Sequence, residues 1–560
     1  MEKSYLIMYQ SDIEELENTL KANGINRYII LNRQIAAVYL LENFDENILN
    51  QIEIIAWWQR SSPMSSLIEI TDNLETGETV TTAAGTDYIY KNPYVQASGK
   101  GVIIAIIDSG IDYLHPDFIN KDGTTKIISI WDQESIKGNP PEGCLFGSEF
   151  TREDINKAIK ENDSTLSEDK IGTGTIAAGI CSGNGNLNSR YKGVAVDSEL
   201  LVVKLREYKN RFKDGIINYQ SADFLAAIKY IQDVAAKEDK YIIINLTVAV
   251  GPSGQIEVSL LDSFSFLDQP GVILVSGAGN EGNTDIHYEG RIINVNESKD
   301  ILIQVGDQLN LEVYIIVDGP DKIGAQVISP SGEIIDNILY SPDNYPYYGK
   351  FNLENTTYEI QYVYPWFELG SEKFFIDFYD IKPGVWTIRL NPEYIISGLY
   401  NVYIPNKSLI SEDTRFLDPN SSSTITLFAN IDNVITVGAY NDKTVSMWIG
   451  SSKGSKRTGY IKPDIVAPGV DIISTYKNQS YNTGTGTGVS SSITSGIVAI
   501  LMEYISQQGL YAKETMYTQT LKTYLMLGAR REEIYNYPNT SQGYGIINLK
   551  ETLIQISNSL

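Results

Sequence analysis

The sequence predicts a doubly wound α/β domain with a mostly parallel sheet, preceded by a small α+β domain and interrupted by an all-β insertion. Three observations lead to this prediction. Apolar runs such as residues 101–108 are typical of parallel strands buried on both faces, and helical patterns such as residues 222–236 alternate with them. Residues 288–412 contain short alternating runs between turn residues, which indicates a β-sandwich or jelly roll. Residues 5–59 fit the order β-α-β-β-α-β.

These changes of pattern divide the chain into four segments. The N-terminal domain covers residues 1–80, and the first part of the α/β domain covers 81–287. The insertion covers 288–412, and the second part of the α/β domain covers 413–560. A chain of 560 residues is too long for one hydrophobic core, which agrees with several domains.

The first predicted helix lies in the N-terminal domain. Ser11 and Glu14 have the spacing of a capping box, which predicts that the helix begins at Ser11. The apolar residues Ile13, Leu16 and Leu20 then fall on one helical face.

Composition and charge exclude some classes of function. The net charge of -26 argues against a nucleic-acid partner, because phosphate binding needs clustered lysine and arginine. No apolar run approaches about 18 residues, so no membrane span is predicted. The first ten residues lack a basic region followed by an apolar core, so no secretory signal is expected. Cys144 and Cys181 are too few for a disulfide framework, and whether they pair stays open.

Four motifs follow one another along the α/β segments. The first begins at Asp108, directly after an apolar run, where doubly wound sheets commonly form their sites. The four motifs are Asp-Ser-Gly-Ile-Asp (108–112), Gly-Thr-Gly-Thr-Ile-Ala-Ala-Gly (172–179), Ser-Gly-Ala-Gly-Asn-Glu-Gly-Asn (276–283) and Gly-Thr-Gly-Val-Ser (486–490).

In this order the motifs resemble the segments of subtilisin-like serine peptidases that carry the aspartate, the histidine, the oxyanion-hole asparagine and the nucleophile. The resemblance assigns Asp108, Thr173, Asn280 and Gly488 to these positions and implies that the N-terminal domain is similar to a propeptide. Glycine has no hydroxyl, and a threonine hydroxyl is not a base near neutral pH. The sequence therefore predicts a pseudoprotease with a degenerate triad and not an enzyme.

Neighbouring residues are not expected to replace the missing groups. Residues 490–492 are serines, but each turns about 100° further around the predicted helix than the residue before it. The chain contains two histidines, His115 and His287, and any mechanism with a histidine base must use one of them. Both are interpreted as structural residues.

The propeptide-like domain, the inserted sandwich and the two missing triad residues together resemble the Csp subtilases of clostridial spore germination. The resemblance implies a regulator in the coat or cortex region of the spore, made in the mother cell without a secretory signal. It implies as partners an active Csp-family protease that processes a cortex hydrolase precursor, other germination-signalling proteins and a bile salt as germinant. The oligomeric state compatible with these partners is a monomer or a hetero-complex. No cofactor is expected; subtilases often carry structural calcium, but no loop here has clear ligand spacing.

Two other functions stay open as alternatives. The chain is either a chaperone or decoy regulator of a related protease without ligand sensing, or an active peptidase with an unusual mechanism. A peptidase assay separates the second alternative from the rest. Binding of bile salts and of Csp partners separates sensing from decoy action.

Three further expectations complete the prediction. The N-terminal domain stays covalently attached, and its tail between Leu74 and Thr82 threads the former substrate channel as an added strand. The insertion packs on the α/β domain through an apolar interface. Substitutions at Gly488 or Thr173 leave germination almost unchanged.

Overall fold

The computed structural model describes residues 2–41, 44–252, 256–341, 346–366, 370–455, 461–507, 509 and 516–559. The N-terminal domain comprises β1 (Glu2–Tyr9), α1 (Ile13–Ala22), β2 (Tyr28–Ile30), β3 (Ile35–Leu41) and β4 (Ile55–Arg60). The segment that follows comprises β5 (Pro63–Ser66), β6 (Glu69–Thr71), β7 (Glu78–Thr79), α2 (Val80–Ala83) and α3 (Asp87–Tyr90).

The first part of the α/β domain comprises β8 (Val102–Asp108), β9 (Ile127–Asp132), β10 (Ser148–Thr151), α4 (Arg152–Glu161), α5 (Thr173–Ser182), β11 (Glu199–Lys204), β12 (Tyr208–Lys209), β13 (Ile217–Gln220), α6 (Ser221–Glu238), β14 (Tyr241–Leu246), β15 (Val248–Val250), α7 (Ile256–Asp262) and β16 (Val272–Gly277).

The insertion comprises β17 (His287–Arg291), β18 (Lys299–Val305), β19 (Asn310–Val317), β20 (Lys322–Ile328), β21 (Tyr347–Phe351), β22 (Thr356–Trp366), β23 (Ser371–Tyr379), β24 (Gly384–Tyr394), β25 (Leu399–Tyr403) and β26 (Arg415–Phe416). The second part of the α/β domain comprises β27 (Ile435–Asn441), β28 (Ser446–Met447), β29 (Ile465–Pro468), β30 (Ile472–Tyr476), β31 (Ser480–Thr485), α8 (Thr487–Gln507), α9 (Thr518–Gly528) and α10 (Leu549–Ser559).

The central sheet of the α/β domain has the strand order β10-β9-β11-β8-β14-β16-β27-β28, and β29 also pairs with β27. The pairs from β9 to β27 are parallel, whereas β10 and β28 add antiparallel edges. Apolar side chains of α5 and α8 pack on one face of this sheet and those of α6 pack on the other. The predicted doubly wound fold is confirmed.

Helix α8 is the apolar centre of the α/β domain. It is long and apolar enough to cross a membrane, but 94% of its apolar window is buried inside the protein. Its close packing depends on glycine, because a Cβ at Gly496 would lie 2.4 Å from Val194 Cβ. The helix is therefore a core element of the fold.

The N-terminal domain is a sheet of order β2-β3-β1-β4 that is covered on both faces. Leu16 and Leu20 of α1 pack on one face of this sheet, whereas Ile13, which was predicted to share their helical face, is 43% exposed. The other face, which includes Leu6 and Tyr39, packs against α6 of the α/β domain. The predicted cap was wrong by one residue, because the side chain of Asp12 accepts the capping hydrogen bond.

The insertion consists of two antiparallel sheets, β17-β25-β19-β23-β22-β21 and β20-β24-β18-β26. Trp386 is buried in the core between them. Phe212, from the α/β domain, is fully buried in the same core, and Leu309 of the insertion donates a 2.7 Å hydrogen bond to its carbonyl. The Phe212 side chain of the α/β domain thus anchors the insertion.

Candidate functional site

Asp108 ends β8 and faces the first turn of α5. The hydroxyl of Thr173 donates a 2.5 Å hydrogen bond to one carboxylate oxygen of Asp108, and the hydroxyl of Thr247 donates to the other. The backbone N–H of Ser109 donates a third hydrogen bond at 2.7 Å. The close packing of α5 on this loop depends on glycine, because a Cβ at Gly174 would lie 2.1 Å from a backbone carbonyl oxygen.

The carboxylate of Asp108 is fully enclosed. Burial raises its pKa from 3.8 to about 6, and the hydrogen bonds from Thr173, Thr247 and Ser109 only partly oppose this rise. Both carboxylate oxygens thus accept hydrogen bonds from hydroxyls or a backbone N–H. A hydroxyl stands where the resemblance would place an imidazole.

Gly488 lies in the first turn of α8, after a turn that Asn280 holds in place. The amide oxygen of Asn280 accepts hydrogen bonds from the backbone N–H of Thr487 at 3.0 Å and from its hydroxyl at 2.9 Å. Gly486 has a φ of 131°, which favours glycine. Asn280 therefore stabilises the glycine turn.

A segment of the chain itself, residues 63–71, lies across this site; we call it the channel segment. Its first half, β5, pairs antiparallel with both β13 and β15. Its second half, β6, pairs antiparallel with β31, immediately before α8. The channel segment is therefore bound by main-chain pairing on both sides of Gly488.

Between β5 and β6, the peptide unit that joins Leu67 to Ile68 sits over Gly488. The backbone N–H of Gly488 donates a 2.9 Å hydrogen bond to the carbonyl oxygen of Leu67, and the N–H of Leu67 donates a 2.7 Å hydrogen bond to the carbonyl of Thr247. A Cβ added at Gly488 would lie 2.7 Å from Ile68 Cγ1 and 2.9 Å from the Leu67 oxygen. The position at 488 therefore has no room for a side chain while the channel segment is bound.

One expectation stated above needs correction, because a different part of the chain occupies the channel. The segment between Leu74 and Thr82 does not thread the channel; it contributes β7, which pairs with β30 beside it. The expectation that substitutions at Gly488 leave germination almost unchanged stays a prediction, and the structure adds that a Cβ at this position would lie 2.7 Å from Ile68 Cγ1. The apolar residues Met64, Leu67 and Ile68, all buried, were the available sequence signal.

The hydrogen bonds that the structure gives for the two histidine rings go to residues other than Asp108. The ring of His115 accepts a hydrogen bond from the N–H of Asp117 at 3.1 Å, and its Nε2 lies 3.1 Å from the carbonyl oxygen of Ser480. His287 lies 3.0 Å from the Asn401 side-chain oxygen. Burial lowers the pKa of both rings, which favours the neutral form.

The three serines after the glycine turn are buried and engaged with the backbone. Ser490 donates to the carbonyl of Ala467 at 3.0 Å. Ser491 and Ser492 both donate to the carbonyl of Gly488, at 3.0 and 2.7 Å. Their hydroxyls therefore point into the helix packing, as the 100° rotation per residue predicted.

A buried charged cluster, which the sequence did not predict, fastens the N-terminal domain next to this site. The guanidinium of Arg206 binds the Asp223 carboxylate through two hydrogen bonds of 2.9 and 2.8 Å. The hydroxyls of Tyr39, from β3, and Tyr208 each donate to the same carboxylate at 2.9 Å. Arg206 also lies 3.5 Å from the ring centroid of Phe146. We call these five residues the docking cluster.

The start of α6 is capped by the same part of the chain. Ser61 accepts a 2.9 Å hydrogen bond from the N–H of Ala222, and the Ser62 carbonyl accepts a 3.0 Å hydrogen bond from the N–H of Ser221. The residues that link β4 to the channel segment thus satisfy helix-end donors. Docking of the N-terminal domain and placement of the channel segment are therefore one structural arrangement.

Metal and cysteine chemistry receive no support from the part of the chain that the structure describes. In that part no group of three or more histidine, cysteine or acidic side chains has the geometry to hold a metal ion. Cys144 and Cys181 are both free thiols. Burial raises the pKa of the Cys144 thiol to about 12, so it is protonated near neutral pH.

Replacing Asp108 by asparagine is expected to stabilise the fold at about pH 8, by up to about 3 kcal/mol. The folded pKa lies above the ordinary value, so the folded state binds the proton more tightly and wild-type stability falls as the pH rises from about 4 to about 6. The advantage of the variant should therefore shrink near pH 4. Urea denaturation at both pH values measures it, and a variant no more stable than the wild type at pH 8 would contradict the prediction.

Comparison with known proteins identifies relatives that share this fold. The family model described as "Subtilase family" matches residues 99–308 and 406–545. The gap between these two ranges covers most of the insertion. The structure of the Clostridium perfringens CspB protease is similar, with a TM-score of 0.76 and 26% identity, covering 86% of this chain and 98% of that one.

Curated relatives are much longer proteins. The C5a peptidase of Streptococcus pyogenes serotype M3 is 23% identical over 435 residues, which are 73% of this chain and 35% of the relative. The PIII-type proteinase of Lactococcus lactis subsp. cremoris is 24% identical over 528 residues, 84% of this chain and 25% of the relative. The chain thus spans between a quarter and about a third of these proteins. With the family model matching more than half of its residues, the chain belongs to the subtilase family.

Proposed function

We propose that this subtilase acts by binding and not by peptide hydrolysis, as a pseudoprotease that regulates spore germination. The geometry at Asp108, Thr173 and Gly488 supports this. A Ser-His-Asp mechanism needs a hydroxyl nucleophile, an imidazole that takes its proton and a carboxylate that orients the imidazole. Of the three corresponding residues, the carboxylate of Asp108 is present, and a threonine and a glycine occupy the other positions.

The single observation that carries the proposal is the position of the Leu67–Ile68 peptide unit. Its carbonyl accepts a hydrogen bond from the N–H of Gly488, as a substrate carbonyl would in an oxyanion hole, but the residue beneath it is a glycine that carries no nucleophile. The channel is thereby filled by the protein's own segment. A surface other than the channel must then make the functional contacts.

The biological context of the proposal rests on the similarity to the CspB protease and on the resemblance to germination pseudoproteases, among them CspC. In this context the protein works in the coat or cortex region of the spore. Its partners are an active Csp-family protease, which processes the cortex hydrolase precursor, and other germination-signalling proteins. A bile salt is the small-molecule signal. The alternative is regulation of a related protease as a chaperone or decoy, without ligand sensing.

Germination of spores that carry Asp108→Asn tests the proposal. We expect a dose–response to bile salt that matches wild-type spores, because the amide keeps the shape of the site while removing the remaining triad carboxylate. The control is Asp223→Asn, which disturbs the docking cluster and should shift the response. Protein amounts are compared by immunoblot. Loss of germination in Asp108→Asn spores with normal protein amounts would show that the site acts chemically.

A further inference from the structure

A groove between the N-terminal domain and the α/β domain has the composition of a small-molecule site; we call it the junction groove. Its volume is about 450 Å³. It is lined by Ile13, Glu17, Tyr28, Ile30, Leu31, Asn32, Arg33, Gly143 and Lys229. A volume of this size can hold a small ligand, and the groove stays open to solvent along one side. None of these residues belongs to the site around Asp108.

The walls of the junction groove are largely apolar. Ile13, at the start of α1, remains 43% exposed, whereas Leu16 and Leu20 of the same helix are buried. Tyr28 and Ile30 of β2 are half-buried, and Leu31 is buried at the base. An apolar body of a ligand would remove this surface from water.

The charges around the junction groove leave one positive group uncompensated. Glu17 pairs with Lys21 at 3.3 Å, and Lys229 pairs with Asp233 at 2.6 Å. Among the residues that the structure describes, none pairs with Arg33, whose side chain is exposed at the rim. A guanidinium at the edge of an apolar groove suits a carboxylate or sulfonate, which it can bind through two parallel hydrogen bonds.

The groove is fixed in shape by contacts between the two domains. The side-chain amide of Asn32 donates a 2.8 Å hydrogen bond to the Ser263 hydroxyl of the α/β domain. The carbonyl oxygen of the same amide accepts from the N–H groups of Gln34 and Ile35, at 2.9 and 3.0 Å. The loop that carries Arg33 is therefore held from both sides.

We propose that the junction groove binds an amphipathic monoanion, with Arg33 on the anionic group and Ile13, Tyr28 and Ile30 against the apolar body. This inference rests on the proposed function, because a bile salt has this chemistry. The ligand would touch the N-terminal and α/β domains at once. Its binding therefore stabilises their docking, which also positions the channel segment.

Calorimetric titration of the full-length protein with cholate, below its critical micelle concentration, tests this site. We expect the affinity to fall about tenfold in Arg33→Ala. Ile13→Asp should have a similar effect, because it places a carboxylate in the groove while an acid in the first helical turn is well tolerated. Lys121→Ala, which removes an exposed positive charge on another loop, is the matched control and should bind like the wild type. The neutral methyl ester of cholate should bind more weakly to the wild type than cholate does.

The outcomes separate this site from the proposed function. Cholate binding that is equal in the wild type, Arg33→Ala and Ile13→Asp overturns the junction groove and leaves ligand sensing standing. If neither cholate nor octanoate binds to the wild type, the junction groove and ligand sensing are both overturned. If cholate binding to the protein depends on Arg33, but spores that carry Arg33→Ala germinate like wild-type spores, the result supports the groove and contradicts the sensing role.

Discussion

Replacing Asp223 by asparagine is expected to lower the free energy of unfolding by about 3 kcal/mol, because it breaks a buried ion pair and leaves Arg206 with the more distant Glu2 carboxylate, 3.8 Å away. Arg206 donates two hydrogen bonds to this carboxylate, and the hydroxyls of Tyr39 and Tyr208 donate two more. An amide cannot accept all four at the same atoms. Urea denaturation, followed by tryptophan fluorescence, measures the loss.

The same helix supplies the control. Asp233→Asn removes an acid that is 43% exposed and paired with Lys229 one turn away, and such pairs contribute only about 0.3–0.5 kcal/mol. Hydrogen exchange should also become faster in β1 and β3 of Asp223→Asn, because the N-terminal domain loses its buried contact. Equal stability of the two variants would contradict the role of the docking cluster.

The double variant Thr173→His with Gly488→Ser is expected to show no peptidase turnover and to be less stable by about 2 kcal/mol. At 488, a Cβ meets Ile68 Cγ1 at 2.7 Å, so the new serine competes with the bound channel segment for space. At 173, an imidazole must fit where a buried hydroxyl now lies 2.9 Å from the Ser109 hydroxyl. Restoring residue types therefore does not restore the sub-ångström placement that catalysis needs.

Thr173→Ser is the matched control for the double variant, because it keeps the hydroxyl on Asp108 and adds no volume. Denaturation measures the stability of both proteins, and mass spectrometry detects self-cleavage. A fragment that begins at Ile68 in the double variant would contradict the prediction, since it would mean that the restored residues attack the Leu67 carbonyl.

The sequence was sufficient for the fold class because buried parallel strands leave uninterrupted apolar runs, such as the one that ends at Asp108. The resemblance of their motifs to subtilase segments also placed Asp108 and Thr173 at one site, and the structure brings the two side chains within hydrogen-bonding distance. The channel segment was misplaced, because β5 and β6 are too short to show a periodicity. Their position depends on pairing with β13, β15 and β31, which are distant in the chain.

The docking cluster illustrates the same limit for charged residues. Tyr39, Arg206 and Asp223 come from three separate elements, and nothing in the local sequence around any of them indicates a buried partner. Burial of the pair depends on how the N-terminal sheet lies on α6, which is a tertiary property. The junction groove arises from the same packing and was likewise outside the reach of sequence patterns.

The most direct measurement of the proposed loss of catalysis is incubation of the homogeneous wild-type protein, alone and with a pool of peptides, followed by mass spectrometry. We predict one intact chain, uncut between Leu67 and Ile68, and peptide cleavage no greater than that of Asp108→Asn. A protein fragment that begins at Ile68, or peptide turnover that Asp108→Asn abolishes, would show that this subtilase is a working peptidase.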